Sequence, residues 1–178
     1  MKKFIAMAMA ALMICAISAT AFAADSAEVG YEASSGESTA EAGEVGVSTA
    51  VSDTTAVADV SSIKDTGVSS FLESKGVAST VNTAIANTGV KSEDLKVASF
   101  FEMTATGNTK DSLDKNGYVD VTIGLSGLQP GDAAVVVCFN GTEWVVCPTT
   151  VSADGKTITA RFTNMGPIMI LTGTNAAK

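Results

Sequence analysis

Candidate catalytic side chains are few in this chain, because none of its 178 residues is histidine. Serine–histidine–aspartate triads, cysteine–histidine pairs and histidine-based metal sites are therefore excluded. Glycosidase chemistry would need two carboxylates that converge on a cleft. The carboxylates on or beside predicted strands are Glu102, Asp120, Asp132 and Glu143. We expect them on solvated faces, and we predict that the protein is not an enzyme.

Two cysteines, Cys138 and Cys147, flank a predicted hairpin. Such a pair could form one disulfide in an oxidising compartment. With a two-residue turn at Asn140-Gly141 the cysteines share a face but lie two same-face steps apart, farther than the Cα spacing of about 5.5 Å that a disulfide prefers. A wider loop would bring them closer. We expect buried free thiols, with the disulfide as the alternative.

The segment from Ser112 to Asp120 partly matches a calcium-binding loop. Its candidate ligands are Asp114, Asn116 and Asp120. The first position is Ser112, and Ile123 stands at the twelfth, where a bidentate glutamate belongs. We therefore favour a loop that ends in an Asn-Gly turn, and we predict no cofactor.

Two further chemistries need exposed or convergent side chains. Sugar binding would use an aromatic platform, for which Tyr118 and one of Phe100 and Phe101 are predicted to point outward. A Lys–Asn isopeptide crosslink could use Lys96, Glu102 and Asn164. Residues of these types are also common on strands by chance, so neither set is assigned a role.

The elements that position these residues are mainly strands. Six segments alternate with period two or form continuous apolar runs: 96–104, 118–125, 133–139, 142–147, 157–162 and 167–172. Turn dipeptides such as Pro130-Gly131 and Asp154-Gly155 separate them. Such spacing without intervening helices predicts a mainly β domain over 94–178, an antiparallel sandwich of six or seven strands.

The clearest unit is the hairpin around Asn140-Gly141. A two-residue type I′ turn tolerates this dipeptide best and places Val137 opposite Trp144. Trp144 is then a core residue on one face with other apolar side chains of the hairpin. Asn140-Gly141-Thr142 also fits an N-glycosylation sequon, but we favour the turn.

The sequence before the predicted strands differs from them in composition and in hydrophobic pattern. Apolar residues at helical spacing, followed by Gly76 and Gly89, predict one or two short helices over 61–93. Residues 24–60 are rich in Ala, Ser, Gly and Glu without a clear period. They predict a flexible acidic low-complexity spacer, with a poorly patterned first strand around Val45–Val51 as the alternative.

The strand pattern resembles a known family. Gly131-Asp132 before a valine run, Asn140-Gly141 before Trp144, and Asp154-Gly155 before an alternating strand are similar to immunoglobulin-like β-sandwich modules. These modules occur in secreted or wall-attached proteins of Gram-positive gut bacteria. The resemblance covers about residues 95–172. It implies an extracellular, non-catalytic structural or binding role, and it supplies no functional residues.

The first 23 residues predict a secretory signal peptide. Two early lysines precede an uncharged apolar stretch over 4–17, and Ala21-Phe22-Ala23 fits the small-x-small cleavage pattern. The stretch is shorter than the roughly 20 residues of a membrane span. Lipid attachment at Cys15 is the alternative, but the small residue that it requires beforehand is missing.

Charge restricts the partners of the mature chain. Without the leader, the chain has nine basic and 19 acidic residues, which gives a formal charge of −10. Nucleic acid and anionic membrane surfaces repel such a polyanion. We expect a secreted, loosely surface-associated structural or adhesion-type module that meets an extracellular protein or glycan. The alternative function is a carbohydrate- or peptide-binding module of an extracellular enzyme complex.

Overall fold

The protein is mainly β, with two antiparallel five-stranded sheets. The computed structural model describes residues 31–35, 38–39, 45–125 and 127–175. The predicted signal peptide lies outside these ranges. The strands in the described ranges are β1 (Tyr31–Ser35), β2 (Ser38–Thr39), β3 (Val45–Ser48), β4 (Lys96–Ala105), β5 (Val119–Gly124), β6 (Ala133–Phe139), β7 (Trp144–Cys147), β8 (Thr149–Val151), β9 (Thr157–Phe162) and β10 (Pro167–Gly173).

The first sheet has the strand order β2-β1-β5-β9-β8, and the second has β3-β4-β10-β6-β7. All six predicted strands are present, with ends within two residues of the prediction. The described part of the chain adds four strands that were not among the six, namely β1, β2, β3 and β8. These are short strands at or next to the sheet edges, where pairing with an existing strand outweighs a poor sequence pattern.

One core lies between the sheets. Val119, Val121 and Ile123 of β5 and Ile158 and Phe162 of β9 are fully buried in it. Their alternation with polar neighbours confirms the period-two pattern predicted for the segments 118–125 and 157–162. The second sheet contributes apolar side chains of β4, β6 and β10 to the same core.

The described helices are α1 (Thr54–Thr66), α2 (Val68–Ser74), α3 (Ala78–Ile85) and α4 (Gly107–Asn116), with a 3-10 turn at Ser92–Asp94. The first three pack on the outer face of the second sheet and form a second core there. Leu72 and Val81 meet Val135 and Met169 in this core, and all four are completely buried. Strands β6 and β10 are therefore covered on both faces, which explains their continuous apolar sequences.

The prediction of a flexible spacer over 24–60 is wrong for most of the described residues of that range, which form β1, β2, β3 and the first half of α1. Val45 is buried between the sheets in β3, so a strand does lie within the alternative range Val45–Val51, although β1 and β2 precede it. Helix α1 begins within the same range, after Asp53, whose side chain accepts a hydrogen bond from the Ala56 N–H at 2.9 Å. Val60 then packs on the second sheet. The small residues of this range made the helical spacing of its apolar positions hard to recognise. Burial of those positions against the second sheet stabilises the helix.

Helix α4 replaces the predicted loop before β5. Leu113 packs against the inter-sheet core and is the apolar side chain that anchors the helix. Gly117 follows in the left-handed conformation, and its N–H donates to the Leu113 carbonyl at 2.9 Å. One apolar residue in the helix gives no periodic hydrophobic signal, so the sequence pattern could not reveal the helix.

The hairpin between β6 and β7 has a four-residue loop, so the predicted two-residue turn is wrong. Phe139 pairs with Trp144, and Val137 pairs with Val146. The Asn140 Oδ1 accepts hydrogen bonds from the Thr142 and Glu143 N–H groups at 3.0 and 2.9 Å, which stabilises the wider loop. Because the register moves by two residues, the predicted faces are kept.

Candidate functional site

Tyr118, Asp120 and Arg161 form a compact cluster on the outer side of the first sheet. The Arg161 guanidinium donates twice to Asp120, from Nε to Oδ1 at 2.7 Å and from Nη2 to Oδ2 at 2.8 Å. It also lies over the Tyr118 ring, 4.1 Å from its centroid. The hydrogen bonds to Asp120 raise the pKa of Arg161. One face of the Tyr118 ring is thus occupied by an internal cation and is not open for sugar stacking.

A row of threonines crosses the same side of the sheet. Thr150 pairs with Thr159, and Thr159 pairs with Thr122. The Oγ1 atoms of Thr122 and Thr159 are 3.0 Å apart, within hydrogen-bonding distance. Directly paired residues share a face, so the row lies beside the Asp120–Arg161 pair. We call these five residues the polar face: Asp120, Thr122, Thr150, Thr159 and Arg161.

The outward-facing phenylalanine of β4 is covered by helices. Phe101 is buried between the sheets, whereas Phe100 packs against the helix–sheet core, with its ring centroid 6.5 Å from that of Trp144. The two aromatic candidates for a sugar platform, Phe100 and Tyr118, thus lie on different sheets. They do not form a common planar patch.

The calcium candidates belong to separate elements and have other partners. Asp114 lies on α4 and accepts a hydrogen bond from Lys110 one turn earlier, which raises the pKa of that lysine. Asp120 lies on β5 and binds Arg161. Asn116 is the last residue of α4. Across the described ranges, no group of three or more cysteine or acidic side chains could hold a metal ion.

Cys138 and Cys147 are free thiols on one face of β6 and β7. Cys147 pairs with Val136, so Cys138 is its diagonal neighbour, closer than the two-residue turn predicted. Burial raises the pKa of Cys138 to about 11, although a hydrogen bond from the Asn164 amide opposes the shift. Burial also raises the pKa of Cys147, and the neighbouring Cys138 adds to the effect. Since the thiolate is the nucleophile, both side chains are inert near neutral pH.

The residues of the isopeptide hypothesis are not brought together. Lys96 pairs with Thr172 at one end of β4, and Glu102 pairs with Pro167 towards the other end. Six residues of strand span roughly 20 Å. The Glu102 carboxylate instead accepts hydrogen bonds from the N–H and hydroxyl of Ser52, at 2.7 and 3.1 Å.

Glu102 and Ser52 border an open groove at the edge of the second sheet. Its volume is about 270 Å³, and its floor includes Gly46 and Thr104. A Cβ on Gly46 would lie 2.5 Å from the Thr104 Oγ1, so a larger residue there would require the Thr104 side chain to move. Each Glu102 oxygen accepts a hydrogen bond from Ser52, and the described lining of the groove contains no second carboxylate to pair with it.

A polar network that no sequence pattern predicted lies beneath the helices. The Trp144 Nε1–H donates to the Asp59 Oδ2 at 3.0 Å, and the Lys75 Nζ lies 2.7 Å from the Asp59 Oδ1. The network joins α1, the end of α2 and β7. A buried tryptophan needs an acceptor for its indole N–H. The predicted burial of Trp144 was therefore the sequence signal that an acceptor must lie near it. Asp59 lies within the range predicted to be a flexible spacer, where no fixed partner for a core residue is expected.

Comparison of the chain with protein-family models, with curated proteins and with solved structures finds no match. Within the described ranges, the helices fall short of the length and apolar character that a membrane crossing requires.

Proposed function

We propose that this chain is an exported, non-catalytic structural or adhesion-type module of a bacterial surface. On this proposal the leader ends at Ala23, and the two sheets are an immunoglobulin-like sandwich extended by a helical layer. The mainly β fold, the acidic composition and the sequence resemblance support the proposal. A surface module needs a stable scaffold and solubility, and net charge favours the latter.

The observation that carries the proposal is that the reactive side chains bind other residues of the fold or are buried in it. The Arg161 guanidinium binds Asp120 and covers Tyr118. The Glu102 carboxylate binds Ser52, and the two thiols are buried. A catalytic group must reach a reacting atom in the correct protonation state. These groups hold elements of the scaffold together instead.

Cell fractionation tests the proposal. The full chain with an epitope tag is expressed in a Gram-positive host, and medium, wall, membrane and cytoplasm are assayed separately. We expect the tagged chain in the medium and the wall fraction, shortened by the leader. A23R is the matched variant, because a bulky cation at the cleavage site should keep the uncleaved chain on the membrane.

A second arm of the experiment tests adhesion. Purified mature chain is mixed with intact bacteria and with immobilised extracellular matrix, and the retained fraction is measured against the heat-unfolded chain. Retention of the folded chain on one of these surfaces is expected. Wild-type chain that stays in the cytoplasm, or folded chain that binds neither surface, would contradict the proposal.

The polar face favours the alternative function, a carbohydrate-binding module. The hydroxyls of Thr122, Thr150 and Thr159 and the charges of Asp120 and Arg161 offer donors and acceptors to a polyhydroxylated ligand. A glycan array probed with the mature chain tests this function. Binding that T122A/T159A abolishes, and that T142A in the exposed hairpin loop retains, would favour it over adhesion through proteins.

A further inference from the structure

Three turns of the described chain contain an asparagine or aspartate followed by glycine. They are Asn116-Gly117, Asn140-Gly141 and Asp154-Gly155. In such pairs the glycine backbone nitrogen can attack the side-chain carbonyl carbon of the preceding residue, because glycine has no Cβ to obstruct the approach. The nitrogen must first lose its proton, so its hydrogen bonding decides how available it is.

Two of the three glycine nitrogens are engaged. The Gly117 N–H donates to the Leu113 carbonyl at 2.9 Å, at the end of α4. The Gly155 N–H donates to the Ser152 carbonyl at 2.9 Å. Removal of either proton would cost a backbone hydrogen bond as well as the charge that develops.

The Asn140-Gly141 site differs in both reacting groups. In this loop the Asn140 N–H donates a hydrogen bond to the Glu143 carbonyl. None of the backbone hydrogen bonds in the described turns uses the Gly141 N–H. The Asn140 Oδ1 accepts from the Thr142 and Glu143 N–H groups at 3.0 and 2.9 Å. Two donors on the oxygen of an attacked carbonyl stabilise the negative charge that develops there. All four loop residues are exposed to water and hydroxide.

We propose that Asn140 is a site of spontaneous deamidation in the folded protein. The Gly141 nitrogen gives its proton to solvent base and bonds to the Asn140 Cγ. The bond from Cγ to Nδ2 then breaks, and ammonia leaves with a proton from solvent. Water hydrolyses the resulting succinimide at either carbonyl, which gives aspartate or isoaspartate at position 140.

The two products have different consequences for the hairpin. Aspartate keeps an oxygen that accepts the two loop N–H bonds and adds one negative charge to an acidic chain. Isoaspartate inserts a methylene group into the backbone of the four-residue loop. The pairing of Phe139 with Trp144 closes this loop, so isoaspartate should loosen the end of the hairpin.

Mass spectrometry of the aged full chain tests the proposal. The folded protein is incubated in mildly alkaline buffer made with ¹⁸O-water and then cut after aromatic residues, which separates Asn140 from Asn116. We expect the Asn140 peptide to gain about 1 Da plus one ¹⁸O label and to contain isoaspartate. The Asn116 peptide should remain unchanged.

A parallel incubation in urea provides the control. Unfolding frees the Gly117 N–H, so Asn116 should then convert at a rate close to that of Asn140. The proposal is overturned if Asn140 stays intact in the folded chain, or if Asn116 converts equally fast in the folded chain. N140D serves as the mass and chromatographic standard for the aspartate product.

Discussion

Cys138 and Cys147 illustrate how burial decides the chemistry of a residue. Among the described residues no cation lies beside either thiol to stabilise a thiolate, and Cys138 receives a hydrogen bond from Asn164 at 3.5 Å. Each contributes to the inter-sheet core as a small apolar side chain. Their protonation is therefore coupled to folding.

This coupling predicts a loss of stability in alkali. The folded pKa of Cys138 is raised from 9.0 to about 11, so its contribution is fully present below pH 9 and is lost as pH rises through the folded value. The free energy of unfolding should fall by about 2–3 kcal/mol between pH 9 and pH 11. The raised pKa of Cys147 should lower the stability further in alkali. Urea unfolding with reductant, at several pH values, measures this change.

The matched variant for this prediction is C138A/C147A, which removes both thiols. Its stability should fall less steeply between pH 9 and 11. Equal slopes in the two proteins would show that other groups cause the alkaline loss.

The Asp59 carboxylate gives a second residue-scale prediction. D59A leaves the indole N–H of buried Trp144 without its acceptor, so the free energy of unfolding should fall by about 1–3 kcal/mol. Trp144 is the single tryptophan of the chain, so its fluorescence reports the change directly. D65A, at an exposed position of the same helix, should have little effect. A D59A chain as stable as D65A would contradict the assigned hydrogen bond.

At the scale of elements, the helices and the second sheet share one core. Leu72 of α2 and Ile158 of β9 are both fully buried, but they lie in different cores. L72A and I158A should each lower the free energy of unfolding by about 2–5 kcal/mol. Since β6 and β10 contribute to both cores, we expect one cooperative transition in each variant, by tryptophan fluorescence and by circular dichroism. A separate early transition of the helices in L72A would show that they are an independent unit.

Sequence patterns predicted the elements that carry their own periodic signal. Val119, Val121 and Ile123 alternate with polar residues, and the structure places them inward as expected. Helix α4 and strand β3 lack such a signal, because α4 contains a single apolar residue and β3 is stabilised by pairing with an existing sheet edge. Tertiary contacts of this kind are absent from local sequence.

The candidate site was less predictable than the strands. The outward direction of Tyr118 and Arg161 followed from strand alternation, but their stacking required the register of β5 with β9. The cysteines were predicted as free thiols, yet their diagonal placement depended on a loop two residues longer than the Asn-Gly turn predicts. Loop length and strand register are set by the whole hairpin, including hydrogen bonds of the Asn140 side chain.

At the scale of the whole molecule, the described chain has three layers: the helices, the second sheet, which is covered on both faces, and the first sheet, whose polar face points outward. The proposed export would place this scaffold outside the cell with a formal charge of −10. Like-charge repulsion at that value favours solubility and opposes contact with other polyanions. The scaffold would present the polar face to whatever the module meets there.

The intact mass of chain recovered from culture medium tests the central claim most directly. A freshly secreted sample should have the mass of a chain that begins at Ala24, with both thiols reduced and without the ammonia loss of an isopeptide crosslink. A mass that retains the leader, or that includes a lipid at Cys15, would contradict the proposed export of a cleaved module. A mass about 2 Da lower, from a Cys138–Cys147 disulfide, would contradict the assignment of the buried thiols.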